Sequence, residues 1–518
     1  MVRASMNTLI LTLCMSSQIF AQQNFRFFEP IEPSRNIQVM VHRGMAMAAP
    51  ENTAAAIETC VQDYCEWVEI DIRLTKDGRH VVIHNQTVDA TTNGTGPVAA
   101  LTLIELQDLD AGSWFAPRYA GIRLLSLPQA LAMAKDKINL YLDCKHVDPR
   151  LLVEEITAAD MKHQVIVYDQ PEVLAEIRAA SNGSVACMSK YRPKTMDFDA
   201  FVAKIAPAAV EIDADDVTPE LCQQFHAAGI KVQAKVLGQE WDTPSVWAAA
   251  IDAGVDWLQT DAPAALLFFN ARRRMGSFPV KIAAHRGANR YAPENTIPAI
   301  REAAKLGVDY TEIDIRTTQD GRFVLIHDGT LDRTTTEVGN VRDKSFGELT
   351  QLSAGIRFGN PFIDSRVPSF DDGLTALGET MAVYLDAKDI TPEALIEAIY
   401  RHHLEERHVV YQSLEYCQRL SKLAPHVHTL PPLKRLEQID AVAAIKPYGV
   451  DAAWHILSEE MISMCHQKGM QVFSDLLGPN ENIQQYQKVI SWKLDCIQTD
   501  HPLRVLRAIE LMAPKVSR

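Results

Sequence analysis

The sequence has no Cys-x-x-Cys pair, no low-complexity run, no excess of basic charge and, past its first two dozen residues, no long apolar run. Each absence excludes something. The nine cysteines are dispersed, so neither a zinc site nor a disulfide framework is indicated, and most read as buried apolar fillers. Cys60 and Cys65 are the one pair close enough in sequence to bridge in an oxidising compartment. Lys and Arg number 51 against 66 Asp and Glu, a net charge of −15, whereas a protein that neutralises a nucleic-acid backbone needs the opposite balance. A small phosphate ligand stays open, because a few basic side chains around a cation override a distant field. With no segment near the ~20 apolar residues that cross a bilayer, no integral membrane span is expected.

What is present begins with MVRASMNTLILTLCMSSQIFAQQ. A basic start at Arg3, an apolar run over 9–15 and a small residue at Ala21 give the pattern of a secretory signal over residues 1–21, and with it an expectation of export. The whole chain of 518 residues is 47% hydrophobic and 23% charged, a globular composition too long for one core.

The chain is a tandem duplication. VMVHRGMAMAAPENT, VEIDIRLTKDG and HVVIHN near the start return as AAHRGANRYAPENT, TEIDIRTTQDG and FVLIHD. The intervals are kept: 27 residues from His42 to Glu69 and from His285 to Glu312, 42 from His42 to His84 and from His285 to His327, 74 from Glu69 to Asp143 and from Glu312 to Asp386. A period of 243 residues is far beyond that of solenoid repeats, so each copy is expected to fold as a domain, over 37–270 and 280–508, with 271–279 as linker. Apolar runs alternate with helical stretches through each copy, which predicts two tandem TIM-type (β/α) barrels, an α/β fold. Asp77-Gly78 and Asp320-Gly321 lie between alternating runs and predict two-residue hairpin turns. Counting outward from them sets Asp71 opposite His84 and Asp314 opposite His327. Residues 88–125 and 331–368 read as insertions over each domain's mouth.

Glu69 and Asp71, or Glu312 and Asp314, are two apart on a strand and share a face. With Asp143 or Asp386 at another strand end, three carboxylates converge and repel unless a cation sits between them. Oxygen donors suit a hard divalent ion, Ca2+ or Mg2+, one per domain. His42 with His84, and His285 with His327, supply groups that titrate near neutrality; one takes a proton while the other gives one, as cleavage of a phosphodiester requires. Arg43, Arg286, Lys145 and Lys388 are the candidate phosphate-holding cations. Glu51 and Glu294 fall in first helical turns, where the helix dipole already favours an acid.

The composite HRG…APENT…EIDIR-T-x-DG…IHD…LDAK…TDxP resembles the glycerophosphodiester phosphodiesterase family, of the phospholipase-C-like TIM-barrel superfamily, across both copies. The resemblance implies hydrolysis of a small glycerophosphodiester to glycerol 3-phosphate and an alcohol, with the three acids on the metal and the histidines as acid and base. Three departures stand out. Asp143 and Asp386 occupy a metal position where the family commonly has Glu. Asn85 and Ala90 stand where the second copy has Asp328 and Arg333, so the second copy is the closer match. A late hydrophobic-Trp-Thr motif is missing near Val236-Leu237 and Leu476-Leu477. A lysophospholipase D-like activity on the same scaffold, and a first copy that binds phosphate without turnover, are the alternative expectations.

Overall fold

The computed structural model describes residues 25–513; the segment read as a secretory signal lies outside them. Two parallel barrels account for nearly all of the chain. In the first, Gln38–Val41 pairs with Trp67–Leu74 on one side and Trp257–Thr260 on the other, closing a ring of eight parallel strands. His80–Val82 hangs antiparallel on Trp67–Leu74 outside the ring. The second barrel repeats the plan, with Lys281–Ala284 between Tyr310–Thr317 and Cys496–Thr499. One of its strand positions is split: Thr429–Leu430 pairs on one side and Pro432–Leu433 on the other. Pro431 and Pro432 have no N–H to give a ladder, which explains the break.

Alternation builds both layers. On Trp67–Leu74, Val68, Ile70 and Ile72 join the large core between strands and helices. Trp67 faces the barrel axis and meets Trp257 at 4.9 Å and the lead-in residue Phe27 at 5.1 Å. The long aromatic side chains thus fill the floor of the barrel and leave the carboxylates of the same face at its other end. The hydroxyls of Thr53 and Thr296 cap Ala54–Gln62 and Ile297–Leu306, so Glu51 and Glu294, expected in the first helical turns, lie ahead of the helices because the caps come after them. Within the expected linker, residues 271–275 are the last turns of the helix Pro263–Met275. Cys60 and Cys65 are free and buried. Among the described residues, no helix is long and apolar enough to cross a membrane.

The barrels share an interface rich in buried charge. Arg35, ahead of the first strand, binds Glu66 at 2.6 Å and Glu510 in the last helix at 2.8 Å, all three side chains nearly inaccessible. Asp63 at the end of Ala54–Gln62 accepts from Arg290 and from the hydroxyl of Tyr291. The insertions also meet, with Phe115 O accepting from Asn360 N and Arg118 lying 4.5 Å over the ring of Phe358.

Candidate functional site

Each barrel gathers three acids at its mouth. Asp71 stands in register with Asp143 on the neighbouring parallel strand, and Asp314 with Asp386. Glu69 and Glu312, two residues earlier, project from the same face. One ligand oxygen from each of Glu69, Asp71 and Asp143 lies within 4.8 Å of the others, and the same holds for Glu312, Asp314 and Asp386. Burial, then repulsion from Asp314 and Asp386, pushes the Glu312 carboxyl well above the ordinary range, and Glu69 behaves alike with Asp71 and Asp143. Burial raises Asp386 to about 6 against the pull of Lys388. Lys388 Nζ sits 2.5 Å from Asp386 and 3.1 Å from Asp314, and Lys145 sits 2.6 Å from Asp143 and 3.3 Å from Asp71. These lysines, expected to face phosphate, are engaged with the acids. Asp71 Oδ1 and Asp314 Oδ1 are buried, each with its lysine ammonium, at 3.3 and 3.1 Å, as its neighbour of opposite charge. Three converging carboxylates against one ammonium leave a buried surplus of negative charge on oxygen donors, which a cation would offset, so each cluster could hold a divalent metal.

The His-Arg-Gly loop wraps onto this cluster. Arg43 and Arg286 adopt left-handed backbone at φ 52° and 56°, followed by Gly44 and Gly287 at 80° and 82°. The turn aims backbone N–H groups at the acids: Arg286 N donates to Glu312 Oε2 at 2.6 Å, and Arg43 N to Glu69 Oε2 at 2.7 Å. A Cβ on Gly287 would fall 2.7 Å from Ala299 Cβ, so the loop rests directly on the following helix. The arginine side chains turn to Glu51 at 3.3 Å and Glu294 at 3.0 Å, which makes those glutamates part of the site's framework.

The four histidines are oriented through Nδ1. His42 pairs with Asp261 at 2.8 Å and His285 with Asp500 at 2.7 Å, leaving Nε2 toward the mouth, where Arg286 Nε reaches His285 at 3.1 Å. His84 meets Asn85 Oδ1 at 2.8 Å, and His327 meets Asp328 at 2.7 Å. Burial lowers the His327 pKa while Asp328 and Asp314 pull it upward. Asp328 is held at about 2, chiefly by its hydrogen bond from Arg333, which also grips Glu294. The first copy, with Asn85 and Ala90, has a neutral acceptor there.

The hairpin differs from its expected register by one residue. Leu74 pairs with His80 and Ile72 with Val82, so Asp71 stands opposite Ile83 rather than His84, and Asp314 opposite Ile326. The turn holds three residues, because Thr75 closes on Arg79 through its own N–H and accepts from Arg79 N through its hydroxyl. Such a slip would send His84 to the opposite face of a continuing strand. The strand instead ends at Val82, and Arg73 Nε holds His84 O at 2.8 Å. In the second copy His327 senses Asp314, Arg286 and Lys388, while His285 acts on Asp475 beside Asp386, so both imidazoles border the acids.

Two pairs of residues escaped sequence reasoning. Asn52 donates to Asp71 Oδ2 at 2.7 Å and accepts from Asp71 N at 2.9 Å; Asn295 does the same for Asp314 at 2.7 and 3.0 Å. Within Pro-Glu-Asn-Thr the Asn reads as a helix cap, yet it clamps a metal-facing acid. Asp261 and Asp500, the histidine partners, were visible only as the repeated Gln-Thr-Asp-x-Pro phrase.

The sequence model of the Glycerophosphoryl diester phosphodiesterase family matches residues 42–265 and again 285–504. A glycerophosphodiester phosphodiesterase of Caldanaerobacter subterraneus subsp. tengcongensis is 31% identical over 238 residues, spanning 44% of this chain and 97% of that protein. One from Bacillus subtilis is 29% identical over 247 residues, spanning 42% and 83%. A crystal structure of the enzyme from Agrobacterium tumefaciens aligns at 25% identity and a TM-score of 0.40, covering 43% of this chain and 96% of that one. A family match that spans both barrels, with relatives of that activity over nearly a whole barrel, establishes that the chain belongs to the glycerophosphoryl diester phosphodiesterase family, in two tandem domains, and is a phosphoric diester hydrolase.

Proposed function

We propose that both barrels hydrolyse small glycerophosphodiesters to sn-glycerol 3-phosphate and an alcohol. The observation that carries this reading is the pairing, in each mouth, of a three-carboxylate cluster with histidines oriented by Asp261, Asp500, Asn85 and Asp328. Glu69, Asp71 and Asp143 would hold one Ca2+ or Mg2+, and Glu312, Asp314 and Asp386 another; oxygen-only donors suit these hard ions. When bound, the ion neutralises charge on the phosphoryl oxygens.

The protein's own groups would do the rest. Asp500 favours the tautomer in which His285 Nδ1 carries the proton; Nε2, which accepts from Arg286 Nε at 3.1 Å here, would take a proton from the attacking oxygen once that arginine turns to phosphate. His327, lowered by burial yet sustained by Asp328, is suited to return a proton to the leaving alcohol. Displacement of the Lys388 ammonium from Asp314 and Asp386 by the ion would release it toward a phosphate oxygen, and Arg286 adds a second donor from the other side. His42, His84, Arg43 and Lys145 would act likewise in the first barrel.

The test is release of glycerol 3-phosphate from glycerophosphocholine, with and without a chelator, by His285→Ala and His42→Ala proteins. Undiminished rates in both variants would overturn these roles, and full turnover without divalent ions would overturn the metal assignment.

A further inference from the structure

Lys235 and Asp475 occupy the same place in the two barrels. Each ends its strand, Lys231–Lys235 or Gln471–Asp475, and each stands in register with the glutamine of the closing strand, Gln259 or Gln498. Val232 and Val472 belong to the layer between strands and helices. Their neighbours turn to the barrel axis: Gln233 donates to Gln259 at 3.2 Å, and Phe473 packs with Tyr310 and Tyr384. Two-residue alternation then brings Lys235 and Asp475 onto the inner face at the mouth. Their electrostatic partners agree, since Lys235 acts on Asp143 and Glu211, and Asp475 on His285, Asp386, Asp314 and Lys388. Both look onto the reaction centre, with opposite charge. They directly precede the stretch where the family's hydrophobic-Trp-Thr motif is missing.

A second position reinforces the contrast. Lys190 stands in register with Glu211, and Pro432 in register with the matching Asp451. Lys190 is taken up by Asp213 at 2.5 Å, whereas Lys235 has no ion-pair partner among the described residues. The first mouth therefore offers an ammonium that no described carboxylate holds at ion-pair distance. In the second, Asp451 is buried and bonded by the Tyr384 hydroxyl, and Asp475 stays open to the mouth near the half-buried ring of Tyr411. A carboxylate open to a mouth that also holds a tyrosine ring is a setting that attracts an ammonium or quaternary ammonium group.

We propose that the two barrels divide their substrates by the charge of the alcohol. The first copy takes diesters whose alcohol carries a further anionic group, and the second takes those whose alcohol carries an ammonium. This rests on both barrels cleaving glycerophosphodiesters. The experiment uses the full chain with one copy silenced at a time, His42→Ala or His285→Ala. Two probes are compared: glycerophosphocholine, and bis(glycerophospho)glycerol, whose released alcohol keeps a phosphodiester charge.

The ratio of kcat/KM for the cationic over the anionic probe is expected to be at least tenfold higher in the second copy. Asp475→Lys lowers that ratio at least tenfold, and Lys235→Asp raises the first copy's ratio to a similar extent. Asp475→Asn, nearly the same shape without the charge, removes the preference and guards against a lysine variant that fails to fold. Equal ratios in the two copies, unmoved by these exchanges, would overturn the division, as would a first copy that cleaves neither probe while the second cleaves both. Failure of both copies on both probes would instead strike the hydrolase reading itself.

Discussion

Asn295 binds Asp314 from both its oxygen and its nitrogen, so the acid is aimed before any ion arrives. Replacing a group that orients a metal ligand typically costs ten- to a hundredfold in affinity. Asn295→Ala is expected to weaken Ca2+ or Mg2+ binding by that factor in the second barrel alone, read by calorimetric titration against Asn52→Ala. A second test concerns Asp328. Its carboxylate supports the protonated form of His327 against burial, so Asp328→Asn should lower the imidazole's pKa further. In a His42→Ala background, the limb of the pH–rate profile that belongs to His327 is expected to move to lower pH; a limb that stays or moves up would refute the coupling. The acids and histidines were legible in the sequence because duplication held their spacing. The asparagines were not, because a residue at a helix start has a sufficient local explanation as a cap, and its bond to a strand 19 residues away leaves no periodic trace.

The His-Arg-Gly turn is strained, since a non-glycine residue at positive φ costs about 1–3 kcal/mol. It persists because Glu312 and the helix behind it fix the turn from both sides. Gly287 cannot gain a Cβ without displacing Ala299, and its φ of 82° is itself unfavourable for alanine. Gly287→Ala is expected to destabilise the second barrel by about 1–3 kcal/mol, read as a lower urea midpoint, with glycerol 3-phosphate release falling in that copy. Strand-and-helix alternation made the barrels readable at this scale. The hairpin register was not, because Asp-Gly signals a turn without fixing its length. The hydroxyl of Thr75 decided that length, and Thr318 repeats the arrangement with Arg322 at 3.0 Å.

At the scale of the whole molecule, the second active-site loop leans on the first barrel. Asp63, nearly inaccessible, lies 3.0 Å from Arg290, five residues past His285. Removing one partner of a buried ion pair costs about 3–5 kcal/mol. Asp63→Ala is therefore expected to lower thermal stability and to reduce turnover by the second copy while sparing the first, in the same silenced backgrounds; an equal loss in both copies would contradict this directional support. Nothing in the sequence announced this contact, because Asp63 and Arg290 carry no repeated motif and only the docking of the barrels brings them together.

That docking also joins the beginning of the described chain to its end. Arg35 and Glu510 are 475 positions apart and 2.8 Å from each other. A ribosome has all but finished before the guanidinium near the start meets its second carboxylate, so the buried triad of Arg35, Glu66 and Glu510 closes only when the last helix has been made. A premature stop before Pro502 would thus be felt at the opposite end of the sequence, and damage at the tail would register as a loosened head.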